Sequence, residues 1–425
     1  MTFGQDGFYM LKGKKKQTIR FKLIHNLIII PMEINGNMGS YILDTGISKN
    51  ILFTSFDGDL KLNDSLRKLK INGFGTGEPI DAYVLENNTF KYKNIVAYDR
   101  QVVLLQNADI NFSAKTGMTI NGLIGCDFFK GFIVEINYSR KKITLHNRKF
   151  YKEKEKTSKK TFPLTFYRGK PYINAYTNVY DSVQGELPLK LLIDSGGSDA
   201  VWIFQDEDRF SKIPEQSFKD YLGEGITGEI YGHKSIIEEF RIGDFRFNKP
   251  IVSFLDKETT ELARKITGRN GTLGGGLLRR FHVWFDYKNR KITLKKNRYF
   301  KKPFEYNLSG IEINYSGDVL VMETGHKKHA ITKEENKIFE SSPINFKFVL
   351  KPSYMVAHIR PNSVAELAGV KEGDILLKIN NHYTYNMSFE DINELFYTKK
   401  NKTIKLVVER KGKELKFQFK QVPLF

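Results

Sequence analysis

Leu43-Asp44-Thr45-Gly46 and Ile193-Asp194-Ser195-Gly196 are the two stretches on which the fold of this chain turns. Each is a short aliphatic run that ends in Asp, a hydroxyl residue and Gly, and the second stands 150 residues after the first. A lone Asp-Thr/Ser-Gly is an ordinary turn and says little. Here the surroundings repeat as well. Asn121-Gly122-Leu123-Ile124-Gly125 answers to Asn270-Gly271-Thr272-Leu273-Gly274, and Phe132–Leu145 answers to Phe281–Leu294, both 149 residues further on. Gly75-Thr76-Gly77 and Ile226-Thr227-Gly228 continue the series near that spacing. Four blocks in one order at nearly constant spacing identify a duplicated lobe.

Each copy reads as β-rich. Leu27–Ile34 and Tyr41–Leu43 are aliphatic or β-branched runs punctuated by Asn35-Gly36 and Gly39. Phe132–Ile136 and Ile143–Leu145 predict a hairpin turning at Tyr138-Ser139-Arg140-Lys141, with its twin in Val283–Phe285 and Ile292–Leu294. Helical periodicity is scarce, and Ile124–Phe129 and Gly276–Phe281 are the short helices expected. Tyr151–Lys160 is polar and reads as a linker.

An apolar strand running into Asp-Thr/Ser-Gly holds a carboxylate at a tight turn, where Gly lets backbone approach closely. Two such turns meeting at a pseudo-twofold axis bring two carboxylates together. Like charges that close do not both ionise, so the pair holds one proton. One Asp can then take a proton from water while the other gives one to a carbonyl oxygen. That is amide hydrolysis by general acid–base catalysis.

At these residues the chain resembles the aspartic proteases of the retropepsin and pepsin clan, over roughly residues 20–300. The family follows each Asp loop with an apolar-apolar-Gly motif; Leu123-Ile124-Gly125 fits, and Thr272-Leu273-Gly274 departs only at Thr272. Leu273–Phe281 with Val283-Trp284-Phe285-Asp286 resembles the end of a pepsin-like lobe. The resemblance implies a mostly β fold of two retropepsin-like β-barrel lobes, fused in one chain and related by pseudo-twofold symmetry. Asp44 and Asp194 would form the catalytic dyad, Thr45 and Ser195 would interlock the two loops, and Gly46 and Gly196 would fix the turns. It also implies hydrolysis of protein or peptide substrates with no cofactor or metal, in a monomer sufficient for catalysis. Substrate-binding flaps are expected at Gly75, Thr76 and Gly77 and at Gly225, Ile226 and Thr227, about 30 residues after each Asp, with glycine-rich tips suited to a mobile lid. Gly223–Gly228 also spells G-x-G-x-x-G, but a dinucleotide site needs a strand–helix context that the β-prone sequence does not offer. In pepsin-like enzymes a Ser usually follows the catalytic Gly and bonds the dyad. Here Ile47 and Gly197 occupy those positions, which points to a mildly acidic to near-neutral pH optimum.

The repeat ends after Lys301-Lys302-Pro303. Val356–Asn380 then resembles a bacterial-type PDZ domain, a small β-barrel with two helices. A strand is followed by a Pro corner, a short helix capped by Ser363, Gly369, and Gly373-Asp374 opening the next strand. Ser388–Phe396 predicts a second helix with Ser388 as its cap, and Ile404–Val408 and Leu415–Phe419 are expected to close the barrel. PDZ domains bind an extended peptide by strand addition, usually at its C-terminal carboxylate, so a C-terminal peptide ligand is expected. The carboxylate loop falls by position near Phe348–Tyr354, without its usual glycines. The domain order that results is an N-terminal tail over 1–20, the first lobe over 21–150, a linker over 151–160 and the second lobe over 161–302. A connector or PDZ extension occupies 303–345, and the PDZ domain occupies 346–425.

The 425 residues are 40% apolar and 27% charged, a globular composition long enough for two to four domains. The single cysteine, Cys126, forms no intramolecular disulfide, frames no zinc site and reads as a small packed residue. The longest apolar run, around Leu27–Met32, is far too short to span a membrane. Lys and Arg number 68 against 48 Asp and Glu, a net charge of +20. The cations are scattered, with brief clusters at Lys14–Lys16 and Lys152–Lys160, and Lys, Asn, Ile, Phe and Tyr share A/T-rich codons, so no nucleic-acid partner is expected. Thr2-Phe3-Gly4-Gln5 resembles the end of a signal peptide in exported Bacteroidetes-type proteins, which favours export, to the periplasm, over a cytoplasmic setting. The rival to an endopeptidase is a catalytically silent, protease-like peptide-binding scaffold.

Overall fold

The computed structural model describes every residue except 1–6, 54–66, 72, 74, 76, 106–111, 154–156, 179–185, 206–212, 257–259, 261–262, 264–267, 326–344 and 399. Thr76, in the first expected flap, and Thr2–Gln5 lie outside the described residues. The chain forms two compact units that divide between Tyr306 and Asn307.

The first unit holds both copies of the repeat. In the first copy the strands Leu27–Ile34 and Asn37–Leu43 form a hairpin turning at Asn35 and Gly36, both at positive φ. The second strand of that hairpin ends at the threshold of Asp44. In the second copy Lys170–Asn178 pairs with Leu187–Asp194 in the same way. The apolar-apolar-Gly segments are strands that run beside each Asp loop. Gly122–Ile124 lies parallel to the Tyr41–Leu43 stretch, and Gly271–Gly274 lies parallel to Leu191–Asp194. Their leading glycines are required by packing: a Cβ at Gly122 would meet the Ile51 carbonyl oxygen at 2.1 Å, and one at Gly271 would meet that of Trp202 at 2.0 Å.

The hairpin repeated at the end of each copy has a joint role. Ile133–Asn137 of the first copy pairs antiparallel with Phe281–Asp286 of the second, which fuses the lobes through one six-stranded sheet. Lys16–Arg20 and Lys159–Pro163 form its two edges. Val134, Ile136, Val283 and Phe285 are fully buried there and belong to an apolar core that is continuous through both lobes. Each such side chain contributes about 1.5–3 kcal/mol by leaving water.

Three expectations are corrected. The short helices are Asp127–Lys130 and Gly275–Leu278, because Ile124 completes a strand and Phe281 opens one. The described part of the expected tail is built into the lobe, with Phe8 buried and Tyr9–Met10 and Lys16–Arg20 as strands. The region around Phe348–Tyr354 is not a loop. It belongs to the strand Asn345–Ile359, which pairs along its whole length with Ile311–Gly325.

The second unit is built on that long hairpin, followed by the helix Val364–Leu367, the strand Ile375–Ile379, the helix Phe389–Thr398 and the pair Thr403–Arg410 and Lys413–Lys420. Both helices carry the caps anticipated. Ser363 Oγ accepts from the Glu366 N–H at 3.2 Å, and Ser388 Oγ accepts from that of Asp391 at 3.1 Å. Ile311, Ile313, Val356, Ile379, Ile392 and Phe396 fill its own core.

Candidate active site

The two Asp-Thr/Ser-Gly loops meet across the pseudo-twofold axis of the first unit, and their hydroxyls cross over. Thr45 Oγ1 donates to the Ile193 carbonyl at 2.7 Å and accepts from the Ser195 N–H at 3.0 Å. Reciprocally, Ser195 Oγ donates to the Leu43 carbonyl at 2.7 Å and accepts from the Thr45 N–H at 3.1 Å. Both residues are buried. Four hydrogen bonds in a dry interior tie one lobe's loop to the other's backbone, so neither carboxylate moves without its partner.

Each loop also holds its own carboxylate. The Gly46 N–H donates to Asp44 Oδ1 at 2.6 Å, and the Gly196 N–H donates to Asp194 Oδ1 at 2.9 Å. The glycines set the separation of the pair. A Cβ on Gly46 would fall 2.8 Å from the Asp194 carboxyl carbon, and one on Gly196 would fall 2.5 Å from that of Asp44. Only hydrogen fits at either position if the carboxyls are to face each other. They lie close enough to share a hydrogen bond.

Burial and the charge of Asp194 push the Asp44 carboxyl well above the usual carboxylate range, while the Gly46 N–H and the Lys170 ammonium pull the other way. The pair therefore retains one proton when isolated carboxylates have lost theirs. Burial pushes the Cys126 thiol up to about 11, so the lone cysteine is a protonated core residue and not a nucleophile.

Two surface turns brace the loops from behind in a matching way. Asn26 Nδ2 of the first lobe donates to the Ser198 carbonyl of the second at 2.8 Å, and Ser48 Oγ donates to the Arg168 carbonyl at 2.7 Å. Asn26 and Arg168 both have positive φ. Sequence reading missed these braces. The signal available was the repetition of a hairpin turn some 20 residues ahead of each Asp.

The glycine-rich segments after each Asp are brought together. Ser217–Gly225 and Gly228–Ile236 form a hairpin turning at Ile226 and Thr227, and Lys68–Ile71 pairs with the start of Ile80–Tyr92 in the first lobe. Their tips touch: Thr227 Oγ1 donates to the Gly73 carbonyl at 3.1 Å, and the Gly77 N–H donates to the Thr227 carbonyl at 2.6 Å. Gly75 lies against the Thr227–Gly228 backbone, and Ile226 packs against apolar residues of the first lobe. The G-x-G-x-x-G spelling thus falls in a β-hairpin. Lys115, on the helix Phe112–Thr116 of the first lobe, grips the second hairpin. Its Nζ lies 2.8 Å from Glu224 Oε2, bonds the Tyr221 hydroxyl and lies 4.6 Å from the Tyr221 ring centre.

Against this geometry, residues 30–128 match the family model described as aspartyl protease, and residues 355–410 match that of the PDZ domain. The chain thus carries an aspartyl protease domain followed by a PDZ domain in a mostly β architecture. No curated protein matches the chain. Among the described residues no helix is long and apolar enough to cross a membrane.

Proposed function

We propose that the chain is an aspartic endopeptidase in which Asp44 and Asp194 of one polypeptide act on peptide bonds, with the PDZ unit binding a peptide or partner. The observation that carries this reading is the reciprocal lock of Thr45 and Ser195, which holds the buried carboxyl of Asp44 and the half-buried carboxyl of Asp194 face to face around one proton. The ionised carboxyl takes a proton from water as the water oxygen bonds to the scissile carbonyl carbon. The protonated carboxyl gives its proton to the carbonyl oxygen. Collapse of the resulting gem-diol re-forms the C=O as one hydroxyl gives its proton back to the ionised carboxyl. The C–N bond breaks, and the departing nitrogen takes the proton that the dyad had drawn from water, so the dyad again holds one proton. Gly75, Thr76 and Gly77 with Gly225, Ile226 and Thr227 would part to admit an extended substrate and close over it.

Cleavage of casein across pH 3–8 tests the reading. Wild type is expected to act at mildly acidic to near-neutral pH, and Asp44→Asn and Asp194→Asn each lose at least ~10²-fold in rate while keeping the wild-type circular dichroism spectrum. Activity that survives either substitution, or that is still rising at the acid end of this range, rejects the assignment or its pH dependence respectively.

A further inference from the structure

We infer that the PDZ unit captures internal, extended, apolar stretches of unfolded polypeptide along its Ile311–Gly325 edge, and not chain ends. The inference rests on the peptide-binding role proposed for this unit and gives its ligand a chemical class.

The first observation is the turn ahead of that edge. The Leu308 N–H donates to the Phe396 carbonyl at 2.9 Å, which closes the end of the cleft between the strand and the helix Phe389–Thr398. A terminal carboxylate would be held there by backbone N–H groups. Those of Gly310 and Ile311 are already taken, by Asn307 Oδ1 and Ser309 Oγ, both at 3.0 Å. Ser309 Oγ donates to Asn307 Oδ1 in turn at 2.8 Å, and both side chains are buried. The neighbouring Arg360 guanidinium donates to the Asn307 carbonyl at 2.9 Å. Glu312 Oε1 accepts from Asn307 Nδ2 at 3.0 Å and from the Tyr397 hydroxyl at 3.2 Å, which adds a like charge where a carboxylate would arrive.

The second observation is independent of the turn. The strand Ile311–Gly325 is 15 residues long and, among the described residues, pairs only with Asn345–Ile359, so its outer edge is open. Beyond Ser316 the two strands form a ribbon whose register sets Leu320 opposite Leu350 and Met322 opposite Phe348, with Phe346 next on the same face. These five side chains are 54 to 65% exposed. Directly opposed side chains on one face are about 5 Å apart, so they form one apolar surface. A bare two-stranded ribbon is marginal in water and gains from a third strand or an apolar cover. An extended apolar peptide supplies both, with backbone pairing along the edge and side chains on the face. The edge is continuous with Ile311–Tyr315, where a PDZ domain adds a peptide strand. On the ribbon's other face Glu323 is paired with Lys351 at 2.9 Å and lies opposite Lys347, so only one lysine there exceeds the acidic charge, too little for a cationic surface that holds anionic lipid.

The test uses the full chain carrying Asp44→Asn and Asp194→Asn, so that probes are not cut and failure of the protease reading leaves the result intact. The probes are reduced, carboxamidomethylated α-lactalbumin and a 12-residue alternating Val/Thr peptide made with either a free or an amidated C-terminus. By fluorescence anisotropy the two peptides are expected to bind within about 2-fold of each other. Met322→Asp and Phe348→Asp, both at exposed positions, are expected to weaken both probes by at least 10-fold with Tm unchanged. Tenfold tighter binding of the free acid overturns the inference, as does binding indifferent to both substitutions. It is also overturned if those substitutions instead abolish a dimer seen by light scattering, or flotation with phosphatidylglycerol vesicles, while probe binding stays the same.

Discussion

Gly197 leaves room beside the dyad that a larger residue would occupy. A Cβ there would lie 3.7 Å from the Asp194 carboxyl, an ordinary contact, so Gly197→Ser fits and brings a hydroxyl within reach of the pair. A donor aimed at a carboxylate favours its ionised form and lowers the pH at which the pair gives up its first proton. The acidic limb of kcat/KM is therefore expected to move to lower pH in Gly197→Ser and to stay in place in Gly197→Ala, which adds volume without a donor. Equal shifts in both variants would mean that packing, not hydrogen bonding, sets the limb. Ile47 and Gly197 were visible in the sequence as departures from the pepsin pattern, and so were the roles suggested for Thr45 and Ser195. The pull of Lys170 on Asp44 was not, because the strand Lys170–Asn178 reaches the dyad only through pairing with Leu187–Asp194.

The two glycine-tipped hairpins proposed as flaps differ in what holds them. Their tips meet through Thr227, and the second is also gripped at Glu224 and Tyr221 by Lys115. Lys115 and Glu224 are largely buried, so their attraction is less screened than that of a surface pair. Lys115→Met and Glu224→Gln are each expected to raise KM for a peptide substrate several-fold with a smaller change in kcat. A double-mutant cycle should show coupling of about 0.5–3 kcal/mol. Additive effects would show that the contact does not hold the hairpin closed. The hairpins were legible because glycine clusters recur after each Asp, but Lys115 was not, since nothing local ties a lysine to a hairpin more than 100 residues away. The ribbon of the second unit was harder still. Its strands carry alternating apolar residues, but Gly317-Asp318 interrupts the first, and residues 326–344 separate it from its partner. A carboxylate loop was therefore expected in what is a strand, and the turn at Asn307–Gly310 was passed over.

At the scale of the molecule, the protease unit places in one chain what a symmetric pair would otherwise assemble. Its seam is the pairing of Ile133–Asn137 with Phe281–Asp286, and the seam carries a charged cluster. Glu135 Oε2 hydrogen-bonds His146 Nε2 of the same lobe at 2.6 Å, and its Oε1 lies 2.9 Å from His282 Nε2 of the other. Burial alone would raise the Glu135 carboxyl, but the two imidazoles hold it well below the usual range. A depressed carboxyl stabilises the fold above its unfolded value and loses that contribution as pH falls toward the folded one, so the seam keeps its contribution at mildly acidic pH. Because the apolar core is continuous through both lobes, they are expected to melt together. Val283→Asp, which buries an unpaired charge in the seam, should cost about 3–5 kcal/mol and lower a single calorimetric transition of the protease unit, with activity lost in step. The covalent link between the lobes further predicts that wild-type specific activity stays constant on dilution from micromolar to nanomolar protein. Two separated protease transitions in Val283→Asp would show that the lobes fold independently, and activity that falls on dilution of the wild type would show that two chains are needed to complete the site.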